Sequence, residues 1–267
     1  MDHLDSLISP TSPMIPKIIH YCWLSDDPYP PLIKECMDSW YKNLYDYEFK
    51  LWNRDSFDIN SVKWVKEAYL AKKYAFAADY IRLYALYTEG GIYLDSDVMV
   101  YKSFNDLLNL PYFIGQDFVG AFEPAIIGTE KESNWIKEVM NFYIGRAFIN
   151  PDETLNIKNL PVVFFEQLYR NYNFKNITDI KDFYNDSSIF NLFPARFFNG
   201  RNNIKPQKYP ESYCSHMFAN SWTDKASNKD LKTFLPSKLL DLIYGFNYHF
   251  LRKKLVHFYD PIYRQTH

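Results

Sequence analysis

Two aspartates separated by a single residue, Asp95 and Asp97, interrupt an otherwise apolar, strand-forming run, EGGIYLDSDVMV (89–100). Carboxylates this close repel one another unless a cation lies between them. An oxygen-rich, partly open ligand set suits Mg2+ or Mn2+, with phosphate oxygens and water completing the shell. The pair therefore points to a cation-bridged diphosphate; a solvated turn carrying two acids is the plainer alternative. Asp79 and Arg82 lie three apart in the helical stretch just before, hence on one face. Either they form a local ion pair, or they reach into the same site, with Arg82 orienting carboxylates or phosphates and Asp79 accepting a sugar hydroxyl. Trp23 closes the apolar run KIIHYCW and is either core filling or a stacking surface for a nucleobase. In SHMFANSW (215–222), His216 is either a satisfied core imidazole or a third cation ligand. Ser221 and Trp222 can bond phosphate oxygens through Oγ and the indole N–H.

These groups need elements to position them. KIIHYCW (17–23) is an apolar run between proline-containing stretches and predicts a buried strand. Leu32 to Tyr45 predicts a helix with Leu32, Cys36, Met37, Trp40 and Leu44 on one side. YEFKLWN (47–53) alternates and predicts a second strand, and Val62–Ala71 a helix. The run AFAADYIRLYALYTE (75–89) reaches a Gly90-Gly91 pair, a helix stop. The strand IYLDSDVMV (92–100) follows, so the order β, α, β, α, α, β predicts a mostly parallel sheet with helices on its faces. The acids then sit at the carboxyl end of a strand, where open α/β sheets bind ligands. Short strands are expected around YFIGQ (112–116) and GAFEPAIIGT (120–129), helices over Ser133–Ala147 and Val162–Tyr172, and irregular chain until a last helix near Ser237–Val256.

Residues 1–14 read as a leader, 15–235 as the main domain and 236–267 as a helical extension. In that extension Leu239, Leu242, Ile243, Phe246, Phe250 and Leu251 follow helical spacing, with Arg252, Lys253 and Lys254 after them. Such a helix either packs on the main domain or docks on an anionic lipid surface. The net charge of −2 over 267 residues supplies no bulk attraction to nucleic acid. Three cysteines without a Cys-x-x-Cys argue against a disulfide framework or structural zinc and point to a reducing compartment. The amino-terminal residues lack a secretory pattern, and no apolar run approaches the roughly 20 residues that span a bilayer. A cytoplasmic protein is expected, free or peripheral at the inner face of a membrane.

Taken together, IPKIIHYCWLS, AFAADYIRLYALYTEGGIYLDSDVMVYKSF and HMFANSW resemble the family 32 glycosyltransferases, the DXD-containing group that includes bacterial capsular and surface polysaccharide enzymes. The same blocks are similar to the glucosyltransferase domains of large clostridial toxins. The resemblance runs in order from Ile15 to about Trp222. It implies a GT-A-type fold, with a Rossmann-like, mostly parallel sheet. It also implies a retaining, Mn2+- or Mg2+-dependent transfer from a nucleotide sugar, with UDP the expected nucleotide and GDP the alternative. By the resemblance Trp23 stacks on the base, Asp79 and Arg82 hold the donor sugar, Asp95 touches sugar or ribose, and Asp97 binds the metal directly. Trp222, with Ser221 beside it, bonds the leaving diphosphate. Many members carry two histidines before the Ser-Trp; here Met217 stands in the second place, which leaves His216 as the imidazole available, with Asn220 or Ser221 as substitutes. The metal set is thus Asp95, Asp97 and His216, and Glu123, in GAFEPAIIGTE, is a candidate for assisting the acceptor. The acceptor implied is a hydroxyl of a glycan or lipid-linked oligosaccharide in surface polysaccharide (capsule or lipopolysaccharide) synthesis. The rival readings are an effector-type enzyme acting on a protein and a non-catalytic sugar-nucleotide- or glycan-binding module.

Overall fold

The computed structural model describes residues 14–117, 120–198, 201–202, 205–206 and 209–219. Asn220, Ser221, Trp222, the leader up to residue 13 and the helical extension at 236–267 lie outside the described residues. A five-stranded sheet forms the centre, in the order β2 (Glu48–Trp52), β1 (Ile18–Cys22), β3 (Gly91–Leu94), β6 (Phe122–Thr129), β5 (Tyr112–Gln116). β1 is parallel to both β2 and β3; β6 is antiparallel to β3 and to β5. Only β6 is therefore reversed, and the mostly parallel α/β sheet expected from the element order is present.

Both faces of this sheet are covered, which is why its inner strands β1, β3 and β6 read as nearly continuous apolar runs. Successive residues go to opposite sides. Ile92 and Leu94 join one buried cluster with Ile19, Phe113, Ile126 and the helix α1 (Pro31–Asn43). Tyr93, Ile114 and Ile127 join the other, with α2 (Lys63–Leu70), α3 (Tyr74–Glu89), α4 (Asn134–Asn141) and α5 (Leu160–Leu168). In α1 the buried face is Ile33, Cys36, Met37 and Trp40, so Ile33 takes the place expected of Leu32.

The expected helix stop is sharp. Gly90 and Gly91 have φ of 68° and 101°, a left-handed backbone that side chains disfavour. A Cβ on Gly91 would lie 2.7 Å from the Ile18 carbonyl oxygen, so the chain passes close against β1 as it turns from α3 into β3. His20 secures the junction: its Nε2 is 2.7 Å from the Gly90 oxygen, and its Nδ1 accepts from Trp52 Nε1–H at 3.0 Å. It is a fully buried, satisfied core histidine, and burial lowers its pKa.

The expected strand over Ile92–Val100 is in fact two. β3 stops at Leu94, and the Val98 N–H donates to the Asp95 carbonyl at 3.0 Å, closing a turn over Asp95-Ser96-Asp97. Asp and Ser favour such turns by bonding their own backbone, and two acids have no place inside a doubly covered ladder. The chain resumes as β4 (Val98–Val100), which leaves the sheet to pair antiparallel with β11 (Cys214–His216). The expected helix over Ser133–Ala147 ends at Asn141, ahead of Gly145 with φ 70°, and that over Val162–Tyr172 runs instead from Leu160 to Leu168 after an Asn159 side-chain cap. The last third is more regular than expected: β7 (Asn173–Asn176) and β8 (Ile189–Leu192) pair in parallel, α6 (Ala195–Phe198) follows, and β9 (Arg201–Asn202) and β10 (Lys205–Pro206) form a short ribbon before β11.

Candidate active site

The turn at Asp95–Asp97 projects from the carboxyl end of β3, and three elements converge on it. β6 reaches it first: the Asp95 N–H donates to the Ala125 carbonyl at 2.8 Å. α3 presents Asp79 and Arg82 toward it. The Arg82 Nη2 lies 3.2 Å from Asp79 Oδ1 and 3.1 Å from Asp95 Oδ1, and its Nη1 donates to the Pro124 carbonyl at 2.6 Å. The guanidinium also lies 4.6 Å from the centre of the Tyr93 ring. The pair is thus an ion pair, and through Arg82 it also touches the first acid of the turn.

β11 supplies the third approach. In its register with β4, His216 stands opposite Val98. The chain that follows folds over Asp97: the Met217 N–H donates to its carbonyl at 2.9 Å and the Ala219 N–H to its Oδ2 at 2.8 Å. That leaves Oδ1 facing His216 Nε2 at 3.3 Å. The other ring nitrogen, Nδ1, is 3.2 Å from Glu123 Oε1, and Phe218 stacks on the imidazole at 4.0 Å. β4 is itself held by α1, through Trp40 Nε1–H to the Val98 carbonyl (2.6 Å), Asn43 Nδ2–H to the Val100 carbonyl (3.0 Å) and the Val100 N–H to Ser39 Oγ (2.9 Å).

One ligand atom each from Asp95, Asp97 and His216 lie within 4.8 Å of one another. Around a six-coordinate cation with bonds of about 2.1 Å, adjacent ligand atoms sit about 3 Å apart and opposite ones about 4.2 Å. Contracted slightly, the set is of a size that could hold a divalent cation.

The electrostatics separate the acids. Burial opposes the charge on Asp97, but His216 and the Ala219 N–H outweigh it and hold its pKa below the usual value. Burial raises Asp95, with Arg82 pulling against it and Asp97 adding to it. Burial also pushes Asp79 up to about 7 despite Arg82. For His216, burial favours the neutral ring, yet Glu123 and Asp97 raise its pKa well above 6.5.

Trp23 stands at the carboxyl edge of β1, only partly buried. Its indole N–H donates to the Asp27 carbonyl at 3.0 Å, and Tyr29 packs edge-on at 4.8 Å. Several contributors carried no sequence signal. Tyr93 and the Pro124 carbonyl support Arg82. Tyr143 is another: its hydroxyl is buried, is without a hydrogen-bond partner among the described residues, and interacts electrostatically with Asp79 and Arg82. Arg82 Nε is likewise buried and unbonded among the described residues. The Glu123–His216 contact joins residues 93 positions apart and has no local pattern to betray it.

Residues 30–114 match the family model described as the glycosyltransferase sugar-binding region containing the DXD motif. A glycosyltransferase of Acanthamoeba polyphaga mimivirus, described as uncharacterized, is 25% identical over 244 residues, covering 86% of this chain and 92% of that protein. The inositol phosphoceramide mannosyltransferase 3 of Schizosaccharomyces pombe is 30% identical over 142 residues, half of this chain and 38% of that protein. Among solved structures, the PaToxG glycosyltransferase aligns with a TM-score of 0.43 at 21% identity, over 60% of this chain and 71% of that one. A glycosyltransferase involved in glycosylation of the major capsid of PBCV-1 aligns at 0.42 and 9%, over 86% and 98%. Asp79, Arg82, Asp95 and Asp97 all fall inside the matched region, Glu123 and His216 lie beyond it, and the similarity to the viral glycosyltransferase extends over most of the chain.

Proposed function

We propose that this chain is a glycosyltransferase that moves a sugar, with retention of configuration, from a nucleotide-sugar donor to an acceptor hydroxyl. The observation that carries the reading is the meeting of Asp95, Asp97 and His216 with the Asp79–Arg82 pair at the carboxyl end of β3. Asp97, His216 and Asp95 would hold Mn2+ or Mg2+, which supplies several kcal/mol of stabilisation to negative charge growing on the leaving diphosphate. Of the two acids Asp97 would make the closer contact, since its carboxylate is the more readily ionised. Asp95 faces the sugar side, where Arg82 fixes one of its oxygens. Asp79, pushed up to about 7, is poised to exchange hydrogen bonds with a sugar hydroxyl in either protonation state. Arg82 holds both acids in place, and Trp23 offers a ring face to the base.

The acceptor hydroxyl attacks the anomeric carbon from the face that the diphosphate leaves, through an oxocarbenium-like transition state, and its proton passes to the departing diphosphate oxygen. UDP is the nucleotide proposed, residues 15–235 the catalytic domain, and a glycan or lipid-linked glycan the acceptor. The name of the yeast relative, which pairs a mannosyl group with inositol phosphoceramide, favours a lipid-linked acceptor. Synthesis of surface polysaccharide on the cytoplasmic side of a membrane is the setting that the sequence blocks suggest.

The test is hydrolysis of UDP-sugars by the full chain with Mn2+ and no acceptor, alongside calorimetric titration of UDP. Wild type should release UDP slowly, and Asp97→Ala should lose that metal-dependent turnover by about 100-fold or more. Near-wild-type turnover by Asp97→Ala in Mn2+ would remove the metal assignment. Absence of both turnover and nucleotide binding across UDP- and GDP-sugars would remove the enzyme reading.

A further inference from the structure

Three consecutive residues of β6 each serve a different member of the site. Ala125 accepts the backbone N–H of Asp95 at 2.8 Å, Pro124 accepts Arg82 Nη1–H at 2.6 Å, and the Glu123 carboxylate meets His216 Nδ1 at 3.2 Å. Glu123 is 5% exposed, and its Oε1 also accepts the Ala125 N–H at 3.3 Å, so its side chain is tied back to its own strand and aimed at the imidazole. The far side of that ring is the nitrogen 3.3 Å from Asp97.

A neutral imidazole has one N–H and one lone pair. A carboxylate only accepts, so Glu123 and Asp97 each draw a hydrogen from the ring; when a cation takes the place of the Nε2 hydrogen, Glu123 keeps the remaining one on Nδ1. The lone pair is then on Nε2, the atom that faces Asp97 and Asp95. The outer partner of a ligating histidine acts in this way wherever a carboxylate stands behind it, and its loss costs about 10- to 100-fold in metal affinity. We infer that Glu123 is a positioning residue: from β6 it fixes the tautomer and ring orientation of His216, so that Nε2 is presented to a divalent cation held with Asp95 and Asp97. This departs from an acceptor-assisting role for Glu123, because its Oε1 already meets His216 Nδ1 and the Ala125 N–H. It rests on the reading of His216 as a cation ligand.

The experiment separates the two. Mn2+ affinity of the full chain is measured without nucleotide, from the electron paramagnetic resonance signal of free Mn2+, for wild type, Glu123→Leu, Glu123→Gln, His216→Ala and the double variant Glu123→Leu/His216→Ala. Glu123→Leu, close in shape but without an acceptor, should weaken Mn2+ by about 10- to 100-fold. Glu123→Gln, whose amide oxygen still accepts, should recover most of that loss. In the His216→Ala background Glu123→Leu should have no further effect, because a residue that acts through the ring has nothing left to act on. If His216→Ala binds Mn2+ as wild type does, the ligand reading fails. If His216→Ala is weakened but Glu123→Leu is not, or if Glu123→Leu weakens binding equally in both backgrounds, the positioning role fails alone. Should Glu123→Leu not fold, the Gln variant decides through 15N histidine spectra of the Mg2+-loaded protein: retention of the Nδ1–H tautomer supports the inference, and a wild-type affinity with the Nε2–H tautomer overturns it.

Discussion

Replacing Arg82 by methionine should expose how much of the site's architecture depends on one guanidinium. Methionine keeps much of the aliphatic volume above Tyr93 but removes the charge that lies 3.2 Å from Asp79 and 3.1 Å from Asp95, together with the donor to Pro124. Removing one partner of a buried ion pair leaves an uncompensated charge and costs about 3–5 kcal/mol. At about 2–4 °C per kcal/mol for a chain of this size, the melting temperature should fall by about 6–20 °C. The loss should also depend on pH. In the wild type Asp79 binds its proton at about 7 in the folded state, against an ordinary value of 3.8. Between these values the folded chain holds more protons than the unfolded one, so this group's contribution to stability is full below about pH 4 and is lost as pH rises through 7. Without Arg82 the folded-state values of Asp79 and Asp95 move higher, and the loss extends to higher pH. The gap between wild type and Arg82→Met should therefore be largest near pH 8 and shrink toward pH 5, where Asp79 is neutral in the variant. Urea unfolding followed by circular dichroism at pH 5, 6.5 and 8 gives the gap directly. Adding Asp79→Asn to the variant should restore part of the stability at pH 8. A gap below about 1 kcal/mol at pH 8, or one that stays constant with pH, would refute the pairing described for Arg82.

Two further substitutions probe the framework behind the site. His20→Phe should leave the Trp52 indole N–H and the Gly90 carbonyl unpaired, at about 1–3 kcal/mol each. Because burial lowers the His20 pKa below 6.5, the unfolded chain takes up the proton first, and wild-type stability should fall as pH drops below 6.5; the variant should lack that part of the acid slope in urea midpoints. Gly91→Ala places a Cβ 2.7 Å from the Ile18 carbonyl at a φ of 101°, and should cost at least about 2 kcal/mol in a thermal melt; an unchanged melting temperature would mean that β1 and β3 do not approach as described.

What could be read from sequence followed from how local the cause was. β1, α1, β2 and α3 show their periodicity within a single turn or pleat, and the glycine pair after α3 stops a helix by its own backbone freedom. The acids were conspicuous because carboxylates do not belong in an apolar strand, although the same anomaly meant that the strand had to break there. The expected α4 runs too long because Phe142 and Tyr143 are apolar and buried; past Asn141 the backbone tightens into bonds three residues back, Tyr143 N–H to Met140 and Ile144 N–H to Asn141, a change that hydrophobicity does not mark. β11 gave no signal. It is three residues long, Cys-Ser-His, and becomes a strand because β4 offers it an edge. The Asp79–Arg82 spacing permitted a pair but could not say what else the guanidinium met, since Asp95 and Pro124 arrive from separate strands.

The clasp of residues 216–219 over Asp97 has a consequence for the order of assembly. Ala219 and Asp97 are 122 positions apart. At about 5–20 residues per second, synthesis delivers the second partner about 6–24 s after the first. During that interval the helix α3, the turn and β3 can already be in place, with Asp95 and Asp97 in the turn and His216 not yet made. A contact of such long range pays its loop entropy last, so the two acids spend the nascent chain's lifetime as an open, anionic notch. A chain halted before Cys214 would retain the whole of the central sheet and yet keep that notch open permanently.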